Sequence, residues 1–278
     1  MKQPNKKKWI MLQIGGKDLE LTAYKGLHFI EQGFTETNPN AIVNQQENQD
    51  GDDHFITLYQ PFDLVLRCYI NTTSFNSVQL AVEELKQLLN RREAYYVVNS
   101  DLPMFRYLVN FCKIEVETLG NGRDAELTFT FNCFKGYKES TADTLDPLIT
   151  DNLYGFGMGL NVNGEPTYTH SSGSFSIYNA GFEIDPRRQH TLKIALTCNA
   201  EKGIAIKNRT TGDTFTYNKP LKKGQVLLLD GVYPYLDGNI CTRDTNRGII
   251  RLANGSNDIQ ISGASNMDVS FAFYFLYR

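Results

Sequence analysis

The residues best suited to chemistry are four histidines, His28, His54, His170 and His190, and a few clusters of acids. General acid–base or nucleophilic catalysis needs such a histidine within reach of a nucleophile or a second titratable group. None of the four lies in a G-x-S-x-G or H-E-x-x-H pattern. His54 follows Asp50, Asp52 and Asp53, a set that resembles a cation loop but lacks the later Glu and the spacing of an EF-hand. It reads as a solvated acidic turn, and no metal site is expected. Glu183 and Asp185 have the residue types of a glycosidase pair, a criterion that any two neighbouring acids would meet. Gly155-Phe156-Gly157-Met158-Gly159 is glycine-rich enough to cradle a phosphate. No helical pattern follows it, so there is no helix N-terminus to receive one. The expectation is a protein without catalytic residues and without a cofactor.

Two tyrosines, Tyr233 and Tyr235, flank Pro234 near a glycine-rich turn and suit a shallow platform for sugar rings. Trp9 has the same chemistry. Such aromatics more often serve as core or interface anchors. The five cysteines, Cys68, Cys112, Cys133, Cys198 and Cys241, are odd in number and far apart, against a disulfide framework or zinc site. They read as reduced packing residues.

The elements around these residues are mostly strands. Leu64, Leu66, Cys68 and Ile70 alternate on one face, and Ala125, Leu127, Phe129, Phe131 and Cys133 alternate on another. Phe105 to Leu119 reads as one long strand, turning at Asn121-Gly122 into the run Arg123 to Phe134. Val78, Ala81, Val82, Leu85, Leu88 and Leu89 recur at helical spacing, with Asn76 as the N-cap and Gln79 completing a capping box.

Between two good strands, Thr35 to Asp53 is rich in Asn, Gln, Asp and Glu. It reads as a polar excursion that cannot order alone. Its residues Asn38, Pro39, Asn44 and Asp50 are the candidates for an inter-subunit arm that orders on assembly.

Ser140 to Asp151 is polar, which places a boundary there. The expected division is a first domain over 1–139, a linker over 140–150 and a second domain over 151–278. Short strands are predicted at Ser174–Tyr178, Thr191–Thr197, Gly203–Lys207, Thr214–Tyr217, Gln225–Asp230, Gly248–Leu252, Asp258–Ile261 and Asp268–Tyr277. The last is expected to be a central strand covered on both faces. Many short strands between Gly, Asn and Pro punctuation predict a β-sandwich.

Composition narrows the function classes. The net charge is -3, with no basic excess to neutralise phosphates, so sequence-specific nucleic-acid binding is not expected. No window reaches the roughly 18 apolar residues of a membrane span. The apolar run after Lys6-Lys7-Lys8 breaks at Gln13, too short for a secretory leader. The protein is expected to be made in, and initially to stay in, a cytoplasm.

Several stretches carry a resemblance. They are the Asp50-Gly51 loop, the strand Phe62–Ile70, the helix Val78–Arg92, the strand Tyr95–Val98, and the ending Phe129-Thr130-Phe131-Asn132-Cys133-Phe134. Together they resemble the N-terminal domain of siphophage distal tail proteins of Gram-positive hosts. Further on stand Asn179-Ala180-Gly181, the stretch Ile206 to Gly212, Leu227-Leu228-Leu229-Asp230-Gly231, and the stretch Leu252 to Ile259. These resemble the galectin-like or carbohydrate-module-like sandwich of that family.

The resemblance implies a mainly β chain, with a split-barrel-like first domain bearing one amphipathic helix and a sandwich after it. It implies a structural virion protein at the tail tip, assembled in the host cytoplasm. Six copies would form a ring, contacting the tail tube protein, a tail-associated tip protein and receptor-binding proteins, with a channel for DNA. The alternative is a carbohydrate-binding adhesion module that recognises host cell-wall glycans.

Overall fold

A computed structural model describes residues 7–45, 47, 50–120, 123–146, 158–159 and 166–278. The chain divides into two compact units, Met1–Glu139 with Arg278, and Ser140–Tyr277. It is mainly β, with one α-helix among the described residues.

The first unit holds β1 (Ile10–Ile14), β2 (Lys17–Glu20), β3 (Leu27–Gln32), β4 (Asn38–Asn44), β5 (Asp53–Gln60) and β6 (Phe62–Asn71). Then come α1 (Phe75–Leu89), β7 (Tyr95–Asn99), β8 (Phe105–Val109), β9 (Cys112–Thr118) and β10 (Asp124–Cys133). A short strand, β11 (Lys138–Ser140), follows where the units meet in sequence. One sheet runs β2-β1-β7-β8, and a second runs β3-β6-β10-β9. The alternation of β6 and β10 makes the second sheet: Leu64, Leu66, Cys68 and Ile70 point inward, as do Ala125, Leu127, Phe129, Phe131 and Cys133. Antiparallel pairing runs from Asp124↔Asn71 to Cys133↔Phe62 without a register shift. The inward faces of both sheets and the stripe Val78, Ala81, Val82, Leu85, Leu89 of α1 form one apolar cluster. Burial of that stripe, not helix propensity, is what holds a 15-residue helix.

Three expectations change here. The helix starts earlier, because Ser74 is the N-cap, its hydroxyl accepting from Ser77 N at 3.3 Å. Asn76 lies inside the first turn. The helix also stops at Leu89: Asn90 leaves helical geometry, and its side chain accepts from the Cys112 backbone N–H at 3.1 Å. The long strand Phe105 to Leu119 is two strands in different sheets. The chain crosses over at Asn110-Phe111, where Asn110 N donates to Asn132 O and Asn132 N donates to Phe111 O. The Asn121-Gly122 turn lies outside the described residues, although β9 and β10 pair antiparallel on either side of it.

The second unit holds β12 (Thr169–His170), β13 (Ser174–Asn179), β14 (Leu192–Asn199), β15 (Ile204–Asn208), β16 (Thr214–Tyr217) and β17 (Leu227–Asp230). It continues with β18 (Tyr233–Leu236), β19 (Asn239–Ile240), β20 (Gly255–Ser262), β21 (Ser265–Phe273) and β22 (Leu276–Tyr277). Sheet β12-β21-β14-β17-β18-β19 and sheet β13-β20-β15-β16 enclose its core. Leu192, Ile194 and Leu196 of β14 and Val269, Phe271 and Phe273 of β21 fill it from the first sheet. Ile206, Phe215 and Ile259 fill it from the second. Such alternation, inward apolar and outward polar, is that of a sandwich.

Residues expected to be linker belong to this unit: Ser140 N donates to Phe275 O, and Thr144 Oγ1 donates to Phe271 O at 2.7 Å. The C-terminal strand is covered on one face only. Asp268, Ser270 and Ala272 point outward from β21, and the strand ends at Phe273. Gly248–Leu252 is not a strand. Asn246 and Arg247 divert the backbone, with Gly248 N donating to Asn246 Oδ1 and Arg247 at φ 58°, and only Leu252 bridges to Ile184.

Candidate assembly surfaces

The stretch Thr35 to Asp53, expected to be unable to order alone, contains a strand. Asn38–Asn44 pairs with Asp53–Gln60 from Asn38↔Gln60 to Asn44↔Asp53, shifting register after Ile42. Asn38, Pro39 and Asn44 therefore lie on a β-hairpin, with Asp50 near its tip. The cause is apolar content at the centre of a polar sequence. Ala41, Ile42 and Val43 pair with Thr57, Ile56 and His54, and Leu58 lies on the same side as Ile56. Among the described residues no third strand joins this sheet. Every residue of β4 is exposed, and Phe55 retains 70% of its accessible surface. Phe34, just before the hairpin, is fully exposed. An isolated two-stranded hairpin is marginal in water, and a cluster of exposed apolar side chains on it marks a surface to be covered.

Tyr233 and Tyr235 share the outward side of β18, with Pro234 buried between them. Tyr233 keeps 58% exposure. Register places Tyr235 in one cross-strand row with Ile240, Leu228, Ala195, Ser270 and Thr169. Small side chains at Ala195 and Ser270 leave a trough of about 480 Å³ bordered by His170, Thr197, Val226 and Asp268. The two tyrosines are thus the aromatic end of an outward face whose middle is small and polar.

The acids and histidines do not converge. Asp185 caps a 3-10 turn and holds Arg187 in a two-pronged ion pair at 2.9 Å. Burial pushes its pKa up, but the Arg187 contacts outweigh that and leave it below the ordinary carboxylate value. Glu183 pairs with Arg251 at 3.2 Å. Arg251 also grips Asp213, whose carboxyl is likewise held low against the upward push of burial. His190 Nδ1 accepts from the Asp185 backbone N–H at 3.0 Å, and His170 stacks on Phe175 at 4.1 Å. His28 lies against Tyr69, and His54 Nε2 meets Thr57 Oγ1. These are structural contacts. Among the described residues no three His, Cys, Asp or Glu side chains group as metal ligands. No helix there is long and apolar enough to cross a membrane. The loop Gly155-Phe156-Gly157 lies outside the described residues.

All five cysteines are unpaired and buried. Burial pushes the Cys68 thiol up to about 12 and raises the other four.

Residues 14–133 match the family model of the phage tail protein RIFT-related domain. No curated protein matches the chain. Among solved structures, the crystal structure of the Dit protein (gp 19.1) of phage SPP1 is similar over 97% of this chain and 100% of its own, with a TM-score of 0.69 and 13% identity. That protein is described as a paradigm of the hub adsorption apparatus in phages that infect Gram-positive hosts. A chain of the phage P2 baseplate in its activated conformation aligns over 96% of this chain and 98% of its own, at 9% identity. Its TM-score is 0.41. Residues 14–133 are thus similar to the phage tail protein RIFT-related domain, and the chain has the fold of the SPP1 Dit protein along its length.

Proposed function

We propose that the chain is a distal tail hub subunit that closes into a ring of six. In this reading the ring joins the tail tube protein to a tail-associated tip protein and to receptor-binding proteins, and leaves a channel through which DNA passes unread. It is assembled in the host cytoplasm, and its role is architectural, with no reaction to catalyse. The observation that carries the reading is the fold likeness to the SPP1 hub protein over essentially both whole chains. The hairpin β4–β5 adds physical support. Head-to-tail contacts close into rings when their rotation permits, and an arm carrying Asn38, Pro39, Asn44 and Asp50 away from the sheets suits such a contact.

The test is imaging and native mass of the purified protein, alone and with its tail partners. Six-fold rings are the expected result, and a protein that stays monomeric with its partners present sinks the reading. Deletion of residues 38–50 tests the arm: a ring of unchanged subunit number would show the hairpin to be dispensable.

A second reading, a module adhering to cell-wall glycans, is favoured by one observation. Tyr235 lies in the same cross-strand row as Ala195 and Ser270, the floor of an outward trough, with Tyr233 beside it on the same side of β18. Its test is titration of the full-length protein with host wall polysaccharide. Saturable binding lost in Tyr235→Ala supports it, and the absence of binding removes it.

A further inference from the structure

The trough on the second unit also shows which kind of polymer it suits, an inference that rests on the reading of that unit as a glycan-binding module. Its floor belongs to one cross-strand row, Tyr235, Leu228, Ala195, Ser270 and Thr169, on β18, β17, β14, β21 and β12 in turn. Neighbouring strands stand about 4.8 Å apart, so the row is about 19 Å long. It crosses the strands instead of following one. The small side chains in its middle, Ala195 and Ser270, leave the space of about 480 Å³. At one end Tyr235 is half-buried, and Ile240 beside it keeps 66% of its surface. At the other end stands the hydroxyl of Thr169.

Ion pairs flank the row on both sides. Lys193 Nζ meets Asp230 Oδ2 at 3.3 Å between β14 and β17. On the other side Lys223 Nζ meets Asp268 Oδ2 at 3.4 Å and donates to Asn266 Oδ1 at 2.9 Å. The two lysines are thus matched by two carboxylates. A phosphate-bearing polymer is held by cations aimed at its charges. Here each lysine would have to leave a carboxylate first. A neutral sugar chain makes no such demand. Its ring has an apolar face that packs on a tyrosine and a rim of hydroxyls that both donate and accept. The hydroxyls of Thr169, Thr197 and Ser270 and the carboxylate of Asp268 line the trough and match that rim.

We propose that the trough takes a neutral, phosphate-free glycan chain laid across the strands from β18 to β12. One ring packs on Tyr235, and the following rings pass over Ala195 and Ser270 with their hydroxyls toward Thr197 and Asp268. The matched ion pairs at the flanks select against polyanionic wall polymers.

The experiment titrates the full-length protein, by calorimetry, with three probes: host wall polysaccharide, the same polysaccharide stripped of its phosphodiesters by hydrofluoric acid, and purified polyglycerol phosphate. The stripped glycan should bind as tightly as the untreated one, with no loss at high salt, and polyglycerol phosphate should not bind. Fragments of the stripped glycan should gain affinity with length until they span the row, about 19 Å. Tyr235→Ala should weaken binding about tenfold. Ala195→Arg fills the floor and adds an unmatched cation, so it should abolish glycan binding while circular dichroism stays native. Ala205→Arg, the same change on the outward side of β15 in the other sheet, should leave binding intact. Binding that disappears on stripping, that salt weakens, or that Ala195→Arg strengthens overturns the neutral class and leaves the wall-binding reading standing. Glycan binding retained in Ala195→Arg, lost equally in Ala205→Arg, or indifferent to fragment length overturns the seat across the strands. Failure of all three probes to bind removes the wall-binding reading itself.

Discussion

Asn208 donates its side-chain amide to Asn257 Oδ1 at 3.0 Å, and neither residue has any accessible surface. The remaining polar atoms of the pair bind backbone. Asn208 Nδ2 also donates to Arg251 O, and Asn208 Oδ1 accepts from Thr210 N. Asn257 Oδ1 accepts from Ala253 N, and its amide donates to Ala253 O and Gly255 O. Two segments of the second unit, 208–210 and 251–257, are joined by two amides. Buried amides are tolerable only when satisfied in this way.

Asn257→Ala should therefore destabilise the second unit well beyond the ordinary cost of a lost hydrogen bond. It strands one N–H of the Asn208 amide and the Ala253 N–H, each at about 1–3 kcal/mol. A drop of about 3 kcal/mol in unfolding free energy is expected, read as a lower urea midpoint. A change below half of that would show that water replaces the lost partner.

The helix start gives a paired comparison. Ser74→Ala removes the side-chain acceptor for Ser77 N and should cost about 1 kcal/mol. Asn76→Ala, in the first turn, should cost little or stabilise, since alanine is the better helix former. The reverse order in thermal melts would return the cap to Asn76.

Acid should unfold the second unit through its paired carboxylates. Asp213 and Asp185 have folded pKa values below their unfolded ones. Depressed carboxylates stabilise the fold above the unfolded value, near pH 4, and that contribution fades as pH falls through the lower folded values. Asp213→Asn should flatten the loss of stability below about pH 4, which a pH series of denaturant melts would reveal. A slope equal to that of the wild type would exclude Asp213 as a contributor.

The thiols supply a probe of integrity. With every cysteine buried and its pKa raised, the reactive thiolate is scarce at neutral pH. A thiol reagent should label the native protein slowly and all 5 cysteines after unfolding. Fast native labelling of Cys68 or Cys133 would mean that the first unit's core opens readily.

Period-two alternation made β6, β10 and most sandwich strands legible, because each has one buried and one solvated face. Strand ends were harder to read. Phe105 to Leu119 alternates well enough to look continuous, and only the pairing of Asn110 and Phe111 with Asn132 shows where it changes sheet. Gly248–Leu252 has strand composition, yet side-chain bonds from Asn246 and Asp213 take its backbone elsewhere. The stretch Thr35 to Asp53 was visible as a polar excursion but not as part of a hairpin. Three apolar residues, Ala41-Ile42-Val43, were outweighed by their polar surroundings, and the partner strand begins only where the excursion ends. The shared side of Tyr233 and Tyr235 follows from strand period alone, whereas the row from Tyr235 across to Thr169 needed the register of five strand pairs.

The unbroken ladder between β6 and β10 has a mechanical corollary. Ten residue pairs run from Cys133↔Phe62 to Asp124↔Asn71 with both strands in line. Tension applied along that axis shears all the rungs at once, so they resist together. The short β4–β5 ribbon, pulled from its tip, would peel one rung at a time. Under tension the two parts of the first unit would therefore fail in different ways, the hairpin yielding gradually and the central sheet holding until it ruptures.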